Sequence, residues 1–289
     1  MAIGKAELRD LLVAYREENW CGIQTAEWQQ RIVQDMLGEP DMPATFVQIA
    51  KHWQPRPGMK VLDIGSGVGG FVVLCRKLGL QAFGVEPDRI GHGSKITAIQ
   101  IARRRLDESA FAVGVGEQLP FADETFDLVV LDNVIEHVAN QNAVLREVLR
   151  VVKGDGLVYV ACPNYLRWYE PHYKVGWIPL MPKLLGKWYL RIRGRNPVML
   201  RQLHYTTNRR VHRLLRSLKP HRIVDLNREE FLHKWREGAF ASKRANLVRA
   251  GMNIPLLGEL ILRMTLVYLR LCEGGTHFVV FPQKVAHQT

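Results

Sequence analysis

Between residues 60 and 162 the apolar positions fall into short runs separated by longer stretches of helical spacing. Lys60–Ile64 reads as a buried strand, Phe71–Leu78 as a helix, and Gln81–Val85 as a second strand that ends at Glu86 and Pro87. A helix over 88–107 follows, then strands at Ala110–Val115 and Phe126–Leu131, a helix near 140–152 and a fifth strand at Gly156–Ala161. Late in the chain, His221–Leu226 and Thr276–Phe281 read as two closing strands. Strands alternating with helices predict a parallel sheet covered on both faces, because each crossover must bury its apolar stripe against the sheet. The expected fold is α/β and Rossmann-like: a doubly wound, mostly parallel seven-stranded sheet. Helical insertions are expected after the fifth strand (163–205) and between the last two strands (228–273). Upstream, residues 5–37 have helical spacing, and 42–53 read as a shorter helix stopped by Pro55 and Pro57. This divides the chain into an N-terminal helical cap over 1–55 and a main domain over 56–289.

Composition narrows the class. The chain has 289 residues, 47% of them hydrophobic, which suffices for a full core and excludes wholesale disorder. Glycine and proline follow no period, which excludes a fibrous chain. Cys21, Cys75, Cys162 and Cys272 lie far apart without a CxxC pair, so buried thiols are expected rather than a disulfide framework or a zinc ribbon. No metal site is expected. The N-terminus, MAIGKAELRDLL, is charged and has no apolar h-region, so no secretory signal is expected and the expected location is cytoplasmic.

Charge is unevenly distributed. Residues 1–162 carry 17 Lys and Arg against 21 Asp and Glu, whereas residues 163–289 carry 23 against 7. Between Glu170 and Asp225 there is no acid, but there are 13 Lys or Arg. A field of one sign attracts anions: phosphates, acidic sugars, nucleic acid or an anionic membrane surface.

The run Asp63-Ile64-Gly65-Ser66-Gly67-Val68-Gly69-Gly70 stands after a strand and before a helix. Glycines there let a ligand approach the backbone, and the following helix aims N–H groups at an anion. Glu86 stands where an acid can accept both hydroxyls of a ribose. Taken alone the motif is ambiguous, because Gly65, Gly67 and Gly70 also satisfy the dinucleotide pattern GxGxxG.

Four further blocks accompany it: Gly84-Val85-Glu86-Pro87, Gly116-Glu117-Gln118-Leu119-Pro120-Phe121, Phe126-Asp127-Leu128-Val129-Val130 and Val134-Ile135-Glu136-His137-Val138. With them the chain resembles the class I S-adenosylmethionine-dependent methyltransferases, particularly the small-molecule enzymes related to ubiquinone/menaquinone C-methyltransferases. The resemblance covers residues 60–162, about a third of the chain. It implies S-adenosyl-L-methionine as cofactor. Asp63, Gly65, Ser66, Gly67 and Gly69 would form the turn that holds its methionine part, and Glu86, with Pro87 beside it, would hold the ribose. Gly116 and Glu117 would flank the adenine, and Asp132 and Asn133 would lie beneath the sulfonium. In the family the third strand usually ends in an acid that contacts adenine. Here that slot is Val115, so backbone groups or Glu117 are expected to read the base.

Methyl transfer to a hydroxyl or an acidic carbon needs a proton acceptor within hydrogen-bond reach. His137 is the first candidate, His204 the second and Glu136 the third. The acceptor is expected to be a small molecule or a lipid- or glycan-linked compound, and anionic. RNA is the alternative, suggested by the basic C-terminal half. Residues 182–193 would form a helix with Leu184, Leu185, Trp188, Tyr189 and Ile192 on one side and Lys183, Lys187 and Arg191 on the other. Such a helix either lies in a membrane interface or packs its apolar side on the domain as a lid. Residues 254–272 would form a second amphipathic helix, in the core or against a membrane or partner. The expected partners are thus the acceptor and an anionic membrane surface, with a peripheral location on the inner face.

Overall fold

In the computed structural model, residues 3–20, 22–37, 44–87, 97–237 and 275–282 are described, with short helical pieces at 258–260 and 263–264 and the single residue 267. One seven-stranded sheet organises them. Its strands are β1 (Lys60–Ile64), β2 (Gln81–Glu86), β3 (Phe111–Val113), β4 (Phe126–Asp132), β5 (Val152–Pro163), β8 (Arg222–Asp225) and β9 (Gly275–Phe281). Their order is β3-β2-β1-β4-β5-β9-β8, with β1 to β5 parallel and β9 antiparallel to both its neighbours. The sheet is thus the one the alternation predicts. Its order reverses between β1 and β4, and in doubly wound sheets a ligand crevice opens at such a reversal, beyond the strands' carboxyl ends.

Both faces are buried. On one, Val61, Leu128, Val130 and Tyr159 pack against Val72 and Cys75 of α4 (Gly70–Lys77) and Ile99 and Ala102 of α5 (Ala98–Arg105). On the other, Leu62, Ile64, Val129 and Val160 pack against Val144 and Val148 of α6 (Gln141–Val151) and Val211 and Leu215 of α8 (Asn208–Ser217). The helix starts follow local chemistry. Thr97 and Gln100 form a reciprocal capping box on α5, and the Asn140 side chain accepts from the Ala143 N–H to start α6.

Several boundaries differ from the sequence expectation. The helical stretch 5–37 breaks into α1 (Lys5–Trp20) and α2 (Ala26–Leu37) around Gly22, whose φ is 69°. In α3 (Ala44–Ala50), Phe46 and Ile49 belong to the main core, so only α1 and α2 cap the domain. The third strand starts one residue late, because Ala110 closes a 3-10 turn over Glu108–Ala110. Leu226 does not end β8 but opens α9 (Leu226–Glu237). Of the expected helix 88–107, residues 88–96 lie outside the described residues, as does most of 254–272. Cys75 and Cys162 are buried thiols, as expected. No described helix is long and apolar enough to cross a membrane.

The first insertion has a core of its own. It contains a small hairpin, β6 (Tyr169–Glu170) with β7 (Val175–Gly176), and the helix α7 (Lys183–Ile192). Tyr165, Tyr173, Trp177, Leu190 and Leu200 cluster there with Ile23 from the α1–α2 connection. The insertion is thereby seated beside the crevice at the carboxyl ends of β1 and β4.

Candidate cofactor and acceptor site

A cavity of about 590 Å³ opens at the reversal of the sheet order. Gly65, Gly67, Glu86, Pro87, Gly116, Glu117 and Asn133 line it, all of them residues the sequence singled out. His137 and His204 also line it. The β1–α4 turn makes room by shape. Gly65 has φ 69°, and a side chain there would drive into Val134 at 2.5 Å. A Cβ on Gly67 would meet nothing within 4 Å, so this position opens onto the cavity.

The N–H groups of the turn are committed differently from the sequence expectation. Gly65 and Ser66 both donate to the Val85 carbonyl, and Gly67 donates to Glu86 Oε2 at 2.9 Å. Ser66 does not line the cavity: its buried hydroxyl presses against Gly84. Gly69 acts in packing, since a Cβ there would sit 2.7 Å from the Phe111 ring. Glu117 lines the cavity, but its Oε1 accepts from the Ala139 and Asn140 N–H groups and so holds the loop before α6. Val115 lines the wall together with Gly114 and Gly116. That wall offers a flat base apolar surface and backbone.

Two of the expected site carboxylates, Asp63 and Asp132, do not line the cavity; they lie beside lining residues, Asp63 next to Ile64 and Asp132 next to Asn133. Asp63 is buried, and burial together with Asp132 and Glu86 pushes its carboxyl well above the usual carboxylate range. Asp132 accepts from Thr45 Oγ1 at 2.6 Å and from Asn133 Nδ2 at 2.8 Å, and burial raises it as well. Carboxylates that crowd one another out of water favour a cationic ligand. An ammonium and a sulfonium on one molecule suit a cavity lined by Glu86 with Asp63 and Asp132 adjacent to its lining, and the open position at Gly67 leaves space for the ligand's backbone. The residues present therefore fit S-adenosylmethionine.

Of the three candidate proton acceptors, His137 and His204 line the cavity and Glu136 does not. His137 lines the cavity, and burial, with His172 and His204 nearby, lowers its pKa to about 4. Its imidazole is therefore neutral at pH 7, and only weakly basic. Glu136 is fully buried behind it and does not line the cavity. Burial raises its carboxyl to about 7, and neither oxygen has a hydrogen-bond partner. Glu136 Oε1 lies 3.9 Å from the Nε2 atoms of both His137 and His172. The backbone N–H of His204 donates to the Glu136 carbonyl at 2.7 Å, which ties the insertion to this centre.

His172 and Glu170 are residues that sequence reasoning missed. His172 Nδ1 is 2.7 Å from Glu170 Oε1, and Glu170 also accepts from the Tyr173 N–H and the Tyr165 hydroxyl. Among the described residues, Glu136, His137 and His172 form the one set with donor atoms close enough, within 4.8 Å, to hold a metal ion. The expectation of no metal site had not foreseen this grouping. Trp20 and Gln202 also line the cavity unforeseen, and the Arg16 guanidinium lies 4.1 Å over the Trp20 ring.

Residues 62–160 match the family described as "Methyltransferase domain". They are a class I S-adenosylmethionine-dependent methyltransferase domain. Its cofactor is S-adenosylmethionine. Over 124 residues this chain is 36% identical to an uncharacterized methyltransferase of Mycobacterium leprae, covering 43% of each chain. It is 32% identical over 153 residues to the ubiquinone/menaquinone biosynthesis C-methyltransferase of Xanthomonas oryzae pv. oryzae, covering 48% of this chain and 56% of that one. The chain thus spans about half the length of the curated relatives it matches. Phosphoethanolamine N-methyltransferase 2 of Haemonchus contortus, solved with S-adenosyl-L-methionine, shares the fold. Its TM-score is 0.53 at 15% identity, over 96% of this chain and 60% of that one. Most residues lining the cavity lie within the matched stretch 62–160, while Trp20, Gln202 and His204 come from outside it.

Proposed function

We propose that the protein transfers the methyl group of S-adenosylmethionine to an anionic acceptor, either a small molecule or a lipid- or glycan-linked compound. The observation that carries this reading is one cavity lined by Gly65, Gly67 and Glu86 together with His137 and His204. Asp63 and the Gly65–Gly67 turn would hold the methionine part, Glu86 and Pro87 the ribose, and Gly116 and Val115 the adenine. Asp132 and Asn133 would lie under the sulfonium. The cofactor supplies an electrophilic methyl on a good leaving group, so the protein's part is to align the acceptor and exclude water. The anionic character of the acceptor is supported by residues 171–224, which include the cavity-lining Gln202 and His204 and contain no acid.

For a hydroxyl or acidic-carbon acceptor, His137 and His204 are the imidazoles in reach of the leaving proton. The buried Glu136 carboxyl, 3.9 Å behind His137, would share the charge that His137 gains. The enzyme would work in the cytoplasm.

Thermal shift with S-adenosylhomocysteine tests the cofactor half: stabilisation of the wild type and none of Gly67→Arg or Asp63→Ala is expected. Transfer of a tritiated methyl group to glycolipid, quinone and RNA fractions tests the acceptor half. Label in the lipid or glycan fraction supports the reading, and label in RNA alone overturns it.

A further inference from the structure

The orientation of α7 is the reverse of a lid's. On a helix at 100° per residue, Leu184, Leu185, Trp188 and Ile192 share a stripe about 100° wide. That stripe faces water: these side chains are 69%, 59%, 65% and 78% exposed. Gly186 and Leu190, on the opposite side, are the residues buried against the insertion's core. The reason is steric. A side chain on Gly186 would lie 2.6 Å from Trp177, so the glycine lets the helix lie down on that buried indole by its narrow back. Ile178 and Leu180, just before the helix, are exposed as well. Contiguous apolar surface of this kind is costly in water and marks a contact surface.

The surroundings say what it contacts. Lys187 and Arg191 run along one border of the stripe, and Arg193 and Arg195 follow at its end. No acid occurs from residue 171 to residue 224 to oppose them. A protein partner would have to combine an apolar groove with an acidic rim. An anionic bilayer provides both at once, with phosphates for the basic border and acyl chains for Leu184, Leu185 and Ile192. Trp188 suits the boundary between the two. We infer that α7 and the preceding Ile178–Leu180 segment are a docking face for an anionic lipid bilayer, on which the protein sits peripherally. The inference is separate from the proposed reaction, since binding to vesicles requires neither cofactor nor acceptor.

The test is co-flotation of the full chain with vesicles of phosphatidylcholine alone or mixed with phosphatidylglycerol. Two variants accompany it, Leu185→Ser/Trp188→Ser and Lys187→Glu/Arg191→Glu; Leu185, Trp188 and Arg191 are exposed and Lys187 half-buried, so both should stay close to the wild-type melting temperature. The wild type is expected to float with the anionic vesicles and to be released by salt, and each double variant to bind about tenfold more weakly. No flotation with anionic vesicles at low salt would overturn the inference, and so would wild-type binding by Leu185→Ser/Trp188→Ser. A dimer in light scattering that this variant converts to monomer would make the face a self-interface, and would overturn it equally.

Discussion

Gly67 gives its backbone N–H to the Glu86 carboxylate at 2.9 Å, so the turn after β1 and the end of β2 are held as one piece. Glu86 thus shapes the turn, and in the proposed function it would also meet the ribose. A hydrogen bond to a charged group contributes about 1.5–3 kcal/mol. Glu86→Ala should weaken S-adenosylhomocysteine binding roughly ten- to a hundredfold, and Glu86→Gln, which keeps an acceptor for the Gly67 N–H, should fall between. Calorimetric titration of the three proteins gives the order. Equal affinities in Glu86→Gln and Glu86→Ala would show that the Gly67 contact contributes nothing.

Asp63 links affinity and stability to pH with opposite signs. Burial, Asp132 and Glu86 raise its folded-state pKa above the unfolded value. The folded apoprotein thus binds more protons than the unfolded chain, so this group's contribution to stability declines as pH rises from the unfolded pKa through the folded one. A cationic ligand prefers the ionised form, so affinity rises over that same interval and binding releases a proton. Asp63→Asn should flatten the melting temperature of the apoprotein against pH and abolish ligand binding. Melting curves of both proteins across acid to neutral pH, with and without S-adenosylhomocysteine, give both slopes. A wild-type apoprotein that becomes more stable as pH rises, by an amount that Asp63→Asn removes, would reverse the sign.

What was legible in the sequence is what local pattern encodes. The run KVLDIGSGVGG carries its strand, turn and helix start in eleven consecutive residues, and Glu86 lies at the end of the next strand. Two other features are set by tertiary packing. Glu136 and His172 are 36 positions apart and meet only because the insertion folds on its own core and ties His204 to the Glu136 carbonyl. The spacing of residues 183–192 shows an apolar stripe, but whether it faces inward depends on which neighbour claims the helix. Gly186 against Trp177 decides that, and a lone glycine in a helix gives no such signal on its own.

The same contact yields a prediction whose sign runs against helix propensity. Glycine inside a helix ordinarily costs about 1 kcal/mol relative to alanine, so replacement should stabilise. At Gly186 the new Cβ would meet Trp177 at 2.6 Å, and overpacking costs about 1–3 kcal/mol. Gly186→Ala is therefore expected to be neutral or destabilising and Gly186→Val clearly destabilising, read as a lower urea midpoint at unchanged slope. A stabilised Gly186→Ala would show that Trp177 gives way.

Glu136 separates stability from catalysis. Its carboxyl is fully buried, neither oxygen is hydrogen-bonded, and the imidazoles of His137 and His172 lie 3.9 Å away, that of His137 neutral. A buried ionisable group so poorly compensated opposes folding, and replacing such groups by apolar ones of similar size is often neutral or stabilising by about 1–4 kcal/mol. Glu136→Leu should thus have a urea midpoint equal to or above that of the wild type, with S-adenosylhomocysteine affinity unchanged, since the proposed cofactor contacts do not include Glu136. Methyl transfer should nevertheless fall by at least about tenfold, since His137 loses the carboxyl that would share its charge as it takes the proton. Glu136→Gln, similar in shape but unable to ionise, should lose as much activity as Glu136→Leu. If Glu136→Gln keeps wild-type turnover, Glu136 only fills space. If Glu136→Leu unfolds at a clearly lower midpoint, the carboxyl is compensated in the folded protein by more than these two imidazoles.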